Sequence, residues 1–421
     1  MVVSYFHPPF PGAGGNRWLA MSHYLRELGY SVNVIACSAW GVLPSDTDLG
    51  VTRVGDLRSL GVLRRLLKRG ELPVGGGAEV LERPAGALLT KVVVPDLHAL
   101  GWVPAVVLRI RRMLARGEID CLVTSSPPAS AHLVGLLLGR PHLPWIADFR
   151  DGWRFQDGRE PFPTAAQRRL DALLEERVAR GADAVVGATA PITADLEARL
   201  GVTAFCVPNG WDPELSPQEG SAPHISSEGV VTLALTGTLS GVRGSDPRPL
   251  FEALRIIGSE PSLGPIRLVH AGPLTTEERV LIDSVGSDLI EHVGYLDRGA
   301  ALALQRSANA LVLLTSRNSS EATSKIYEYL ASGRPIIALA EGNEAARIVR
   351  ETKTGITVPP DDVPAIVGAL RSAASGELWQ SYAPHGLEAF TYPGPAIAMA
   401  EAIVKTMREA GRRQKRGDER G

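Results

Sequence analysis

Cysteine is scarce in this sequence. There are three, Cys37, Cys121 and Cys206, far apart along the chain and without the spacing of a metal-binding cluster. That argues against a disulfide scaffold or a thiolate metal site and fits a reducing compartment holding buried thiols. Long apolar runs are also lacking. None reaches transmembrane length, and no charged segment followed by an apolar core opens the chain, so a cytoplasmic protein is expected. Charge of one sign is missing as well. The 44 Lys and Arg against 46 Asp and Glu give a formal charge of -2, which offers nucleic acid no broad basic field.

What remains is a globular composition, 44% hydrophobic and 21% charged over 421 residues. That length exceeds one ordinary core, so two domains are expected. Short apolar runs alternate with amphipathic stretches: MVVSYF, WLAMSHYLRELGY and SVNVIAC read as strand, helix, strand. IDCLVTSS, PWIADF and ADAVVGAT continue the series, with helices over 129–139 and near 165–181. After Gly229 the rhythm restarts with VVTLALTG, IRLVHAG, LIEHVGYL, ALVLLTS and PIIALA. Strands apolar throughout and separated by helices imply parallel sheets covered on both faces. The expected fold is α/β, two doubly wound Rossmann-like domains, with binding at the carboxyl ends of the strands. The domain boundaries are expected at 1–215 and 216–390, followed by a helix over 391–410 packing back on the first domain and a disordered charged tail, 411–421. The hinge falls in the polar stretch SPQEGSAPHISSEG. LRSLGVLRRLLKRG, residues 57–70, reads as a basic surface helix, with contact to a membrane surface or an acceptor as the alternative.

Three loops carry candidate chemistry. PPFPGAGGNRW places Gly12, Gly14 and Gly15 between the first strand and first helix, where they serve either a tight turn or a ligand cradle. The pattern is not GxGxxG, so a dinucleotide site is weakly supported. LTGTLSGVRGSD follows a strand of the second half and sets Gly237 and Thr238 near Arg243, whose fork of donors suits phosphate oxygens. TSRNSSEATSKIYEYLASGRP runs through a small-residue loop into a helix capped at Thr323 or Ser324. A cation such as Lys325 is unfavourable in a first helical turn unless it shares an anion with the free N–H groups. Glu328, a turn later, could accept hydrogen bonds from sugar hydroxyls; otherwise the two are an exposed pair of little consequence. Together these groups point to a diphosphate. In PWIADFRDGW, Asp148, Arg150 and Asp151 should emerge at a strand's carboxyl end, either as a structural ion pair or as an acceptor site. His132 is expected in the core.

The chain resembles the GT-B glycosyltransferases, and within them the retaining, nucleotide-sugar-using family 4, over nearly its whole length. The resemblance rests on the Gly12–Gly15 loop, PWIADFRDGW, VPNGWD, LTGTLSGVRG, HAGP, HVGYL and SSEATSKIYEYLASGRP, in that order. It implies that the second domain holds the nucleotide diphosphate, that the first supplies the acceptor side, and that no metal or separate cofactor is required. Arg243 lies where the family keeps a phosphate-binding Lys. Thr238 stands where many members have an Arg, a missing charge that Lys325 supplies. Glu328 matches the ribose-binding glutamate. Val293, Gly294 and Tyr295 match the stretch whose backbone faces the nucleobase, and Asn209-Gly210 the turn before the hinge. Glu321 and Ala322, with Thr323 to Lys325, fall in the donor loop. The family's second glutamate, eight positions before Glu328, is here Ser320, so the donor sugar is not named by the motif. Arg150 stands where many members have a His.

The resemblance implies glycosyl transfer from a nucleotide-diphosphate sugar to an acceptor hydroxyl, with retention, in glycan or glycosylated natural-product synthesis. No carboxylate pair of the glycosidase kind stands out. Two rival readings are a nucleotide-sugar epimerase of the same fold and a non-catalytic nucleotide-sugar binder. The base, sugar, acceptor and oligomeric state are not written in any motif.

Overall fold

The computed structural model describes residues 1–10, 15–56, 92–139, 143–155, 160–214, 229–240, 245–260, 263–315 and 323–418, with side chains through 413. Gly12, Gly14, Arg243, Ser320, Glu321, Ala322 and the basic stretch 57–70 lie outside the described residues.

The chain divides into two compact units, Met1–Asn209 with Tyr392–Gly421, and Gly210–Thr391. Each is built on one parallel sheet. The first has seven strands: β1 Val2–Ser4, β2 Val34–Cys37, β3 Val51–Val54, β4 Leu122–Ser126, β5 Trp145–Phe149, β6 Ala184–Gly187 and β7 Ala204–Cys206, in the order β3-β2-β1-β4-β5-β6-β7. The second has six: β8 Val231–Thr236, β9 Ile266–Ala271, β10 Ile290–His292, β11 Ala310–Leu314, β12 Ile336–Leu339 and β13 Gly355–Val358, in the order β10-β9-β8-β11-β12-β13. Strands such as VIAC, WIADF and IIAL are buried at every position, because helices cover both faces. Such strands read as unbroken apolar runs rather than alternating ones.

In each sheet the strand order reverses once, between β1 and β4 in the first and between β8 and β11 in the second. Chains leaving two adjacent strands in opposite directions open a crevice at their carboxyl ends, the usual binding place in such sheets.

The helix Gly394–Asp418 belongs to the first unit for a packing reason. Tyr392, Ala396, Met399, Ala402 and Ile403 are buried against Trp18, Met21, Tyr24 and Val34 on one face of the first sheet. Tyr24 and Tyr392 stack at 5.3 Å. The opposite face is covered by Trp102, Val103, Val106 and Ile110 of the helix His98–Ala115. The tail expected to be disordered instead continues this last helix through Asp418. Arg, Lys and Gln are good helix formers, and Arg413 reaches Asp183 at 3.1 Å. Among the described residues no helix is long and apolar enough to cross a membrane.

Candidate active site

In the second unit the chain leaves β8 at Thr236 and turns at Gly237, whose φ of 109° suits glycine. Four bonds fix this turn. The Gly237 N–H donates to the Ala271 carbonyl at 2.7 Å. The His270 Nε2 donates to the Gly237 carbonyl at 2.8 Å. Farther along, the Ser240 N–H donates to Glu278 at 2.8 Å, and its hydroxyl bonds the same carboxylate. Gly272 makes the close approach possible, since a Cβ there would lie 2.1 Å from the Gly237 oxygen.

Across the switch point, the helix Ser324–Ala331 begins after the loop that leaves β11. It is anchored by Tyr329, which is buried beneath the sheet ends. The Tyr329 hydroxyl receives the Thr236 N–H at 3.0 Å and donates to the Val312 carbonyl at 3.3 Å. Burial pushes its pKa up to about 12, so it remains a neutral strut. With Tyr329 fixed, Lys325 one turn earlier is directed over Gly237. A Cβ on Gly237 would lie 2.2 Å from Lys325 Cε and 3.1 Å from Nζ. The glycine turn and the cation, separated by 88 positions of sequence, meet at the mouth of the switch point. Thr323 occupies the N-cap, but its hydroxyl makes no capping bond and is buried without a partner among the described residues. The first-turn N–H groups of this helix have no intrahelical acceptors.

Glu328 faces the same edge, half-buried, with its carboxylate 3.7 Å from Arg298 Nε. The Arg298 guanidinium in turn lies 5.5 Å over the Trp211 ring. Val293 and Gly294 are tied by backbone bonds, Val293 N–H to the His270 carbonyl at 3.0 Å and Gly272 N–H to the Gly294 carbonyl at 2.9 Å. Tyr295 projects into solvent, as does Thr238.

Sequence reasoning passed over a histidine pair in this region. His270 and His292 approach Nδ1 to Nδ1 at 3.0 Å. Burial lowers His270 to about 4, so it is neutral at physiological pH. With Nε2–H committed to Gly237, its Nδ1 must accept from His292. HAGP and HVGYL were noted in the sequence, but only strand pairing between β9 and β10 sets the two rings side by side.

In the first unit, Asp148 sits at the end of β5 and is completely buried. Its carboxylate accepts from Arg17 Nη2 at 2.9 Å and Nε at 3.2 Å, from Trp18 Nε1 at 3.1 Å and from Ser125 Oγ at 2.7 Å. Arg17 also donates to the Val207 and Pro208 carbonyls and to Asn209 Oδ1. Asp148 thus ties the first helix to β4, β5 and the end of the unit: it is a structural ion pair, the alternative to an acceptor site, with Arg17 as its partner. A buried acid with four donors cannot also receive an acceptor without breaking them. Arg150 and Asp151 follow it, 3.7 Å apart. Burial lowers the Arg150 pKa, countered by the charge of Asp151.

Gly15 fits a close turn: a Cβ there would meet Pro8 at 3.2 Å. The backbone at His7 and Pro8 is held by Arg53, which pairs with the buried Asp46 at 2.7 Å and donates to the His7 and Pro8 carbonyls. His132 lies in the core, bonded to Thr124 Oγ1 at 2.9 Å and stacked on Phe149.

Two requirements are thus met in one chain, two doubly wound sheets and a lysine set against a glycine turn at the switch point of the second. This is the architecture of the GT-B class. Family models match both units: the Glycosyl transferase 4-like domain over residues 12–210 and the Glycosyl transferases group 1 domain over residues 232–375. The chain belongs to the glycosyltransferases built from these two domains, and it is a glycosyltransferase. A search of curated protein sequences returns no match. Among solved structures it is similar to the apo form of the lipopolysaccharide outer core galactosyltransferase WaaB, at 14% identity and a TM-score of 0.57, covering 96% of this chain and 99% of that one. A glycosyltransferase from Rickettsia africae matches at 12% identity and a TM-score of 0.57, covering 97% and 98%. A Listeria monocytogenes structure assigned as a UDP-N-acetylglucosamine 2-epimerase matches at 15% identity and a TM-score of 0.55, covering 97% and 96%.

Proposed function

We propose that the protein moves a sugar from a nucleotide-diphosphate sugar to an acceptor hydroxyl with retention of anomeric configuration, in the assembly of a glycan or a glycosylated natural product. The observation that carries this reading is the seating of Lys325 against the Gly237 turn at the switch point. Breaking the anomeric C–O bond sends an electron pair onto the departing diphosphate. A donor set that is already in place stabilises that charge most strongly in the transition state. Lys325 and the first-turn N–H groups of its helix are placed to act there, with Arg243 expected to join them. Glu328 accepts from the nucleotide ribose, and the backbone at Val293–Tyr295 lies along the base. The acceptor oxygen bonds to the anomeric carbon as the phosphate oxygen leaves. Its proton passes to the departing phosphate, so neither a carboxylate nucleophile nor a bound metal is needed. Arg150 and Asp151 contact the acceptor on the first unit.

Incubating the protein with a panel of UDP-, GDP-, ADP- and dTDP-sugars and hydroxylated acceptors tests this by mass spectrometry, with proton NMR reading the anomeric configuration of the product. A single donor should give a product of retained configuration. Inverted product would refute retention, and no transfer with any donor would refute the assignment. The similarity to a structure assigned as an epimerase favours a second reading. It predicts an isomerised sugar nucleotide formed without any acceptor.

A further inference from the structure

The first sheet carries a side-chain cluster that the reading above leaves unused. Tyr5 stands just past the carboxyl end of β1, and Asp56 just past that of β3. The helix His98–Ala115 returns the chain toward the amino end of β4, so its first residue, His98, lies at the same carboxyl edge. Asp96 holds this helix start to the loop leaving β4, accepting from the Ser130 N–H at 2.9 Å and its hydroxyl at 2.6 Å. His98 is therefore fixed beside the reversal point of the first sheet.

The Asp56 carboxylate is buried. It accepts the Tyr5 hydroxyl at 2.7 Å and faces His98 Nδ1 at 2.9 Å. The imidazole packs on Tyr5, with ring centroids 4.1 Å apart. A carboxylate at Nδ1 fixes the tautomer and leaves the Nε2 lone pair free to accept. The His98 side chain is 12% exposed, and Nε2 has no hydrogen-bond partner among the described residues. Beside it stands an aromatic face. Trp40 meets Tyr5 at 5.5 Å, Phe6 at 5.6 Å and Phe10 at 4.8 Å, and Phe6, Phe10 and Trp40 are all half-buried. Rings of this kind present apolar surface to a partner while the adjacent nitrogen supplies direction.

We propose that His98, oriented by Asp56 and Tyr5, binds the acceptor. Its Nε2 accepts a hydrogen bond from an acceptor hydroxyl, and Phe6, Phe10 and Trp40 receive the apolar face of the acceptor's ring. The acceptor class is a hydroxylated ring compound carrying apolar surface, as an aryl glycoside does. This rests on the glycosyl-transfer reading, but its test does not use transfer.

The full chain, labelled with 15N-histidine, is titrated with p-nitrophenyl glucoside, galactoside and mannoside. The Nε2 resonance of His98, assigned by its loss in His98→Gln, should move on addition of at least one of them. In Asp56→Asn the apparent Kd should rise about tenfold, the loss expected from disrupting one charge-assisted hydrogen bond. Melting temperature checks that each variant is folded. Since Asp56→Asn alters a buried group, His98→Gln carries the test if that variant unfolds: its affinity, followed by Trp fluorescence, should fall by a similar factor. A wild-type His98 resonance unmoved by all three glycosides would overturn the proposal, as would unchanged affinity in His98→Gln. Nucleotide binding, read separately by thermal shift with UDP, GDP, ADP and dTDP, reports on the donor reading. Its failure with glycoside binding intact would sink that reading and leave the aryl-glycoside site standing.

Discussion

Lys325 lies where a side chain on Gly237 would have to be, its Cε 2.2 Å from the position of that absent Cβ. The turn is thus shaped by the cation as much as by its own φ of 109°. Three structural facts converge on it: Tyr329 fixes the helix, His270 fixes the carbonyl and Gly272 leaves the room.

Lys325→Ala should lower the rate of glycosyl transfer by about 10²-fold, the usual effect of removing one preorganised donor from developing negative charge. Its side chain is half-exposed, so melting temperature should change little. Steady-state kinetics alongside calorimetry checks the pair of outcomes, and an unchanged rate would remove Lys325 from the site.

Gly272→Ala should be worse than its size suggests. The new methyl group would collide with the Gly237 carbonyl, which is backbone and cannot rotate away. Overpacking of this kind costs about 1–3 kcal/mol, and the displaced turn should also weaken donor binding. Urea unfolding and donor titration measure the two effects in one variant.

Asp148→Ala should destabilise the first unit by about 3–5 kcal/mol, because it strands the buried Arg17 guanidinium without its carboxylate. Asp151→Asn should cost less, because its half-buried carboxylate stands 3.7 Å from Arg150 rather than among four donors, while raising the acceptor KM. Chemical denaturation separates the fully buried acid from the half-buried one three residues later.

Stability should fall on acidification through a window set by buried histidines. Burial holds His270 near pKa 4, His7 near 4 and His132 near 3, against an ordinary value of 6.5. Each folded pKa is depressed, so the unfolded chain binds more protons between about pH 6.5 and those values, and stability rises with pH there. The contribution is complete above about 6.5 and progressively lost below it. At full effect each histidine is worth on the order of 3 kcal/mol. Unfolding free energies from pH 7 to 4.5 should show this slope, and His132→Gln should flatten it.

Glu328→Ala should raise the donor KM by about tenfold, in keeping with the loss of a charged acceptor for a hydroxyl. The Arg298 guanidinium beside it remains stacked on Trp211. A donor titration by calorimetry checks this, and unchanged affinity would take the ribose away from Glu328.

Much of the fold was legible in order and type. IRLVHAG became β9 and PIIALA became β12, and the helix expected near 165–181 runs over Ala165–Gly181, because unbroken apolar runs and helical spacing are local signals. The elements that carry Gly237, Lys325 and Glu328 were legible too: a glycine turn after β8, and a helix that starts at Ser324 behind a small-residue loop. The polar clusters of the first unit were not. Asp148 looks like a cleft acid in ADFRD, and nothing in that run reveals that Arg17, Trp18 and Ser125 will surround it. His98 and Asp56 are 42 positions apart and lie in no recognisable motif.

By itself the sequence determined the two parallel sheets, their strands and the residue chemistry of the glycine-rich and small-residue loops, because hydrophobic period, capping residues and glycines act within a few positions. Only the tertiary structure decided which polar groups are sealed in and which stay open. That choice depends on the β1–β4 and β8–β11 reversals, where side chains far apart in sequence meet, and on whether a buried charge finds enough donors to remain there.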